Sequence, residues 1–169
     1  MRLHGRKVAI FGVFTALALI FSYVELLIPI NFGIPGAKLG LANLMTVLVL
    51  YKMGIKEALA LSVTRIILSG FMFGNLFGIL YSLSGGLISL IIMYLFLKTN
   101  LFSNIIISIM GGIFHNVGQL LVAMLFFSST VFMYYLPYLM LFGILSGIII
   151  GILGEIIYLK IGNQLKKRG

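Results

Sequence analysis

Six long apolar runs, each separated from the next by only a handful of residues, leave this chain almost no way to fold except inside a lipid bilayer. A helix needs about 20 mostly apolar residues to cross the hydrocarbon core. The runs fall at about 8–28, 39–53, 55–73, 77–97, 102–127 and 136–161. They predict an all-α membrane protein of six transmembrane helices, with residues 1–169 forming a single integral membrane domain. Composition agrees. The chain is 62% hydrophobic and 9% charged, against roughly 45–50% and 25% in a soluble domain. A soluble fold would have far too little polar surface.

The net charge of +9 would suggest nucleic-acid binding in a soluble protein. Here the basic residues lie between apolar runs, where they set topology by the positive-inside rule. With the amino terminus in the cytoplasm, the cytoplasmic segments carry Arg2, Arg6, Lys7, Lys52, Lys56, Lys98, Lys160, Lys166, Lys167 and Arg168. Lys38 alone falls in an outer loop, and Arg65 lies within a helix. The expectation is a multi-pass protein of a bacterial plasma (inner) membrane with both termini cytoplasmic. Tyrosines group near the expected interfaces, with Tyr51, Tyr94 and Tyr158 inside and Tyr23, Tyr134 and Tyr135 outside. The first run follows basic residues as a signal peptide does. It continues for about 20 residues without a small-residue cleavage site, so it reads as a retained helix.

Several chemistries drop out. There is no cysteine, which removes disulfides, iron–sulfur clusters and thiol catalysis. The acidic residues are Glu25, Glu57 and Glu155, with no Asp, so the carboxylate clusters used in magnesium-dependent diphosphate chemistry are missing. His4 lies in the tail and His115 stands alone in a helix, so no metal-ligand spacing arises. No nucleophile–base–acid arrangement is visible, and no cofactor is expected.

The second helix is short. Its apolar stretch of 39–51 covers roughly 20 Å at 1.5 Å per residue, against about 30 Å of hydrocarbon. The stretch before it, Pro29 to Lys38, holds two prolines and two glycines and cannot be regular helix. Irregular backbone is tolerated at membrane depth only where it is buried in protein or lines a cavity. A cavity open to the outside and capped by this loop follows as an expectation.

Polar residues within the helices point to the same region. A charge near the bilayer centre costs about 2.5–3.5 kcal/mol on insertion scales and needs a partner or a role. Arg65 lies near the middle of the third helix, with Ser62 and Ser69 on its face. Glu25 lies near the outer end of the first helix, where it reads equally well as a carboxylate in interfacial water. Their depths differ by roughly 10 Å, so a direct pair requires tilted or shifted helices. On the fifth helix, His115, Asn116 and Gln119 present three hydrogen-bonding groups on one face. Asn43 and Thr46 on the second helix, and Ser82, Ser84, Gly85 and Gly86 on the fourth, add polar or open positions. Gly143, Gly147 and Gly151, with Gly154 beyond them, form a smooth stripe on the last helix. Such a stripe lets a neighbouring backbone approach closely, and packing within the chain is the simpler use of it than a dimer motif. Gly12 and Ala16 form a shorter pair on the first helix.

The stretches Gly36-Ala-Lys-Leu-Gly-Leu-Ala-Asn43, Arg65 followed by Ser82-Leu-Ser-Gly-Gly86, and His115-Asn-Val-Gly-Gln119 resemble the membrane family called Gx transporters, also labelled heptaprenyl diphosphate synthase component I. The resemblance covers essentially the whole chain. It implies kinship with the substrate-binding S components of energy-coupling-factor (ECF) transporters. These are six-helix bundles that take a vitamin-like molecule from outside under a loop between the first two helices. Members often occur beside genes for quinone biosynthesis or flavin-based extracellular electron transfer, which implies a link to redox or isoprenoid metabolism. S components commonly carry Ala-x-x-x-Ala on the first helix for docking a coupling subunit; here the nearest match is Gly12 and Ala16.

Two functions are expected. In the first, a membrane substrate-binding or transport protein receives a small anionic or carbonyl-rich ligand from the outer face. Lys38 and Arg65 would neutralise it, Asn43, His115, Asn116 and Gln119 would orient it, Glu25 and Ser84 would complete the site, and loop 29–38 would close over it. In the second, the chain is an accessory membrane subunit in quinone or isoprenoid metabolism or in flavin-linked electron transfer, offering a lipid-facing groove. A purely structural membrane partner would instead show a closed core. In none of these is the chain an enzyme by itself. The expected partners are a small-molecule ligand, the lipid bilayer and a membrane protein, with no nucleic acid.

Overall fold

The computed structural model describes residues 2–28 and 40–166. The six expected α-helices are present: α1 (Arg2–Leu27), α2 (Leu41–Lys52), α3 (Ile55–Phe73), α4 (Leu76–Thr99), α5 (Asn104–Phe127) and α6 (Leu136–Lys166). A short 3-10 helix, η1 (Thr130–Tyr135), joins α5 to α6, in the short connection expected between residues 127 and 136. There are no strands among the described residues. The expected loop from residue 29 to residue 38, Lys38 included, lies outside the described residues. So do the side chains of Arg2, Arg6, Lys166, Lys167 and Arg168.

Four helices are long and apolar enough to cross a membrane by length and composition: α1, α4, α5 and α6. The other two differ for separate reasons. The second spans 12 residues, and α3 carries Lys56, Glu57 and Arg65. The fold is an all-α membrane bundle in which the shortest helix lies deepest. Every residue from Leu44 to Leu50 is buried, and α2 packs against α1, α3 and α6. Around it, Ala18, Leu61, Leu90, Met93, Ile107 and Ile150 complete one apolar core. The outward faces of α1 and α4–α6 expose Val13, Ile20, Ile91, Leu121, Leu145 and Ile149. Exposed aliphatic surface on this scale suits lipid rather than water.

Local sequence sets the helix ends. Gly54, at φ 104°, makes the tight turn between α2 and α3 that a side chain would strain. The Asn75 side chain caps α4 by accepting from Gly78 N–H at 2.7 Å, and the Ser103 hydroxyl caps α5 by accepting from Ile106 N–H at 3.4 Å. Asn100 and Ser128 close α4 and α5 in the left-handed conformation.

The glycine stripe is used within the chain. A Cβ on Gly143 would lie 2.7 Å from the Gly112 carbonyl oxygen, and one on Gly147 would lie 2.5 Å from the Ile109 Cα. A Cβ on Gly151 would lie 2.9 Å from the Ile105 Cα. Backbone therefore meets backbone along the whole α5–α6 contact. Gly118 makes a comparable approach between α5 and α4, where its Cβ would lie 2.8 Å from the Ser84 carbonyl oxygen. Gly12 has no neighbouring atoms, and Ala16 is exposed.

Aromatic side chains gather at both ends of the bundle. Tyr51 meets Tyr158 edge-on at 6.5 Å, and Lys98 Nζ lies 5.0 Å from the Tyr94 ring, at the end that carries Lys52, Lys56 and Lys160. At the opposite end, Phe77 contacts Tyr81, Phe126 and Phe127. Paired aromatic girdles are what a membrane-spanning bundle places at its two interfaces.

Candidate functional site

The site begins at the amino-terminal end of α2. A helix start leaves backbone N–H groups without intrahelical partners, and at membrane depth each unsatisfied group is expensive. Glu25, near the end of α1, meets this need. Its Oε1 accepts from Gly40 N–H and, at 3.3 Å, from Leu41 N–H. The carboxylate also complements the positive end of the helix dipole. Glu25 is thus tied to a neighbouring helix and is not simply an interfacial charge in water.

One turn into α2, Asn43 reaches the other way. Its Oδ1 accepts from Arg65 Nη2 at 3.0 Å, so the first turn of α2 joins α1 to α3. Arg65 is 8% exposed. Glu25 lines the same cavity, and Asn43 makes the direct contact with the guanidinium. The Arg65 Nε is buried with no hydrogen-bond partner. A guanidinium presents five N–H donors in a fixed fork, so the group retains unused capacity.

On α5 the three polar residues divide their tasks. Asn116 donates through Nδ2 to the Leu139 carbonyl oxygen at 2.6 Å, which links α5 to α6. Gln119 is 2% exposed, and its Oε1 has no partner. His115 packs beside Gly85, where a Cβ would lie 3.2 Å from its Cε1. Gly85 and Gly86 are therefore not open positions: the α5 backbone and Gln119 fill the space at the first, and Ile66 and Ser62 fill it at the second.

These groups face one cavity of about 370 Å³, within the range of small-molecule sites, about 300–1,000 Å³. Glu25, Asn43, Arg65, His115, Asn116 and Gln119 all line it. Of the remaining expected site residues, Lys38 lies outside the described residues. Ser84 does not line the cavity; its hydroxyl donates to the Gly118 carbonyl oxygen at 2.5 Å, across the α4–α5 contact. Ser82, two positions earlier, does line it. The cavity reaches the bundle end at Ile28, Gly74 and Gly78, the end away from Lys52, Lys56, Lys98 and Lys160.

Ser89, Ser108 and Ser146 line the cavity as well and were not singled out from sequence. Ser108 had a signal, since positions 108, 112, 115 and 119 share a helical face. Ser89 also had a signal, since it lies seven residues after Ser82 on the same face of α4, whereas Ser146 is the single serine of α6 and nothing in the sequence marks it. No group of three or more potential metal-binding side chains occurs among the described residues.

A family model described as heptaprenyl diphosphate synthase component I matches residues 14–157, and the chain belongs to that family. No curated protein and no solved structure matches it.

Proposed function

We propose that this member of the heptaprenyl diphosphate synthase component I family is a membrane-embedded binding protein that admits a small anionic or carbonyl-rich molecule from the outer face. Binding would be the first step of uptake, in the manner of an S component. The observation that carries the reading is the buried Arg65, held by Asn43, in the wall of a cavity with several polar side chains that reaches one end of the bundle. A charge at this depth is costly, and a closed structural core would have satisfied it internally. The positive-inside rule supports assigning that end to the outside, since the lysines cluster at the other. Loop 29–38 would close the entrance and bring Lys38 to the bound molecule. The cavity needs no covalent chemistry for this role, and the chain has no Asp for a magnesium–diphosphate centre.

A second reading draws on the family's description. A component I is by name one part of a larger assembly, so the chain would serve as an accessory subunit of isoprenoid, quinone or flavin-linked electron-transfer metabolism. It would then hold a quinone or prenyl chain, or a partner protein, in the membrane. In either reading the localisation is a bacterial plasma membrane with both termini cytoplasmic.

The experiment that separates the two is native mass spectrometry of gently purified protein, with identification of any small molecule retained. A water-soluble molecule lost in Arg65→Ala and Asn43→Ala, with both variants still folded in the membrane, is the expected result. A retained quinone or polyprenyl species would move the assignment to the accessory subunit. Failure of both variants to fold would make Arg65 and Asn43 structural.

A further inference from the structure

Resting on the binding reading above, we infer that the bundle consists of two three-helix units, α1–α3 and α4–α6, hinged so that they part at the outer end and close on a molecule that bridges them. Within the second unit the contacts are backbone against backbone: Gly143 with Gly112, Gly147 with Ile109, Gly151 with Ile105, and Gly118 with Ser84 and Gly85. Helices in such contact have no flexible atoms between them to take up a shift. Each unit is also tied by its own hydrogen bonds. In the first, Glu25 accepts from Gly40 and Leu41, and Asn43 accepts from Arg65. In the second, Ser84 donates to Gly118 and Asn116 donates to Leu139. Between the units the contacts are of another kind. Helix α2 meets α6 through side-chain tips: a Cβ on Gly154 would lie 3.7 Å from Leu44 Cδ1 and 3.8 Å from Val47 Cγ1. Helix α3 meets α4 in a similar way, with Ile66 Cδ1 and Ser62 Oγ against Gly86. Side-chain contacts of this kind repack when neighbouring elements turn or slide.

What lies between the units at each depth sets the pivot and the side that opens. Toward the inner end the space is filled. Leu48, Leu50 and Leu61 of the first unit share one apolar core with Leu90, Met93 and Ile107 of the second. There the Tyr51 hydroxyl donates to the Asn104 carbonyl oxygen at 3.1 Å, a bond that crosses from one unit to the other, and the Tyr51 ring meets Tyr158. Toward the outer end the cavity takes the place of the core. Glu25, Asn43 and Arg65 line it from the first unit, and His115, Asn116 and Gln119 from the second. The hydrogen bonds of these polar residues named above all stay inside one unit. At the α3–α4 corner only Gly74 and Asn75 connect the helices, so the units cannot part there. The opposite side is free to open, because α1 packs chiefly against α2 and α3, and α6 against α5, α2 and η1. A molecule that touches both polar sets binds the closed form better than the open one, and that difference draws the units together.

The test measures distances between nitroxide labels on introduced cysteine pairs by pulsed electron paramagnetic resonance, with the full chain in lipid nanodiscs. The chain has no Cys of its own, so no native residue has to be removed first. Leu27→Cys with Tyr138→Cys spans the units at the outer end, and Lys52→Cys with Leu159→Cys spans them at the inner end. Leu27→Cys with Phe71→Cys lies within the first unit, and Leu125→Cys with Tyr138→Cys within the second. All six sites are exposed. Each pair is measured on gently purified protein and on the same protein washed until native mass spectrometry finds no retained small molecule. In the washed protein the outer cross-unit pair should give a longer and broader distribution than either within-unit pair. It should shift to one short, narrow distance wherever a molecule is retained, while the other three pairs stay unchanged. Each pair is scored only if helicity and monodispersity match the parent; if Leu27→Cys fails that criterion, Val24→Cys, also exposed, takes its place. An outer pair no broader than the within-unit pairs would overturn the hinge, and with a molecule retained it would leave the binding reading standing. Equal movement of the Leu27–Phe71 pair, or of the inner pair, would overturn it too. Movement of the outer pair in a chain that retains no molecule in any preparation would support the hinge and overturn the binding reading.

Discussion

Gly147→Ala should loosen the whole α5–α6 contact, and the structure sets the size of the effect. The added Cβ would sit 2.5 Å from the Ile109 Cα, 2.7 Å from the Ser108 carbonyl oxygen and 2.9 Å from the Ile109 nitrogen. These are backbone atoms within a helix and cannot swing aside as a side-chain tip can. Ordinary carbon contacts lie near 3.5–4.0 Å, so the two helices must separate locally by roughly 1 Å. Overpacking of this kind costs about 1–3 kcal/mol. A gap of that width also forfeits a quarter to a half of each dispersion contact it opens, including those at Gly143 and Gly151. Against this, Ala favours the helix by about 1 kcal/mol over Gly. A net loss of about 1–2 kcal/mol corresponds to a melting point lower by about 2–8 °C at this chain length. Gly154→Ala is the internal control. Its Cβ would meet Leu44 Cδ1 at 3.7 Å and Val47 Cγ1 at 3.8 Å, so only the gain in helix propensity remains and the melting point should hold or rise. The chain has no Trp and no Cys, so far-ultraviolet circular dichroism of the detergent-solubilised protein is the suitable readout. Equal melting points for Gly147→Ala and the parent, or equal losses in the two variants, would refute the close-approach argument.

Glu25→Ala removes the acceptor for Gly40 and Leu41 N–H at the start of α2. It should cost about 1–2 kcal/mol in thermal unfolding, whereas Glu25→Gln keeps an acceptor and should lose only the dipole contribution of about 0.3–1 kcal/mol. Ser84→Ala removes the hydroxyl that donates to Gly118 and should cost about 1 kcal/mol of stability. Its retention of any co-purifying molecule should match that of the parent, which native mass spectrometry reads directly. Gly12→Ala places a methyl group in open space on the exposed face of α1 and should leave the melting point unchanged or slightly raised. A marked loss would show that this face packs against something in the purified protein.

The helices were legible because a bilayer reduces the problem to finding long apolar runs, and punctuation at Gly54, Asn75 and Ser103 marks where they stop and start. The 3-10 helix was not legible. Thr130 to Tyr135 has the composition of membrane-spanning sequence and no turn signal of its own. Pro137, which lacks an N–H but fits the first turn of a helix, starts α6 immediately afterwards. At the site, legibility followed periodicity. The polar face of α5 repeats at helical spacing, and all three of its named residues reach the cavity. On α4 the same reasoning took Ser84, yet residues two apart point to different sides of a helix. Only one of Ser82 and Ser84 could face the cavity, and the spacing of seven between Ser82 and Ser89, both of which line it, is the pattern that favours Ser82. The bonds from Glu25 to the backbone of Gly40 and Leu41 join separate helices, and no local pattern reports such contacts.

The cavity lies against α2, a helix too short to cross the layer by itself. Its 12 residues give roughly 18 Å of helix in a layer about 30 Å thick. Helix α2 thus starts roughly 12 Å short of one face of that layer. The glycine contacts draw α4, α5 and α6 close, backbone against backbone, on the side facing α2. A helix that starts at depth must have its first N–H groups satisfied, and Glu25 supplies the acceptor. That use of Glu25 leaves Arg65 with a side-chain amide, Asn43, as its direct partner among the described residues. A short central helix therefore places the Glu25 carboxylate at its start and the Arg65 guanidinium one turn further in, both in the wall of the cavity. The polarity of the site follows from that single departure from a regular six-helix bundle.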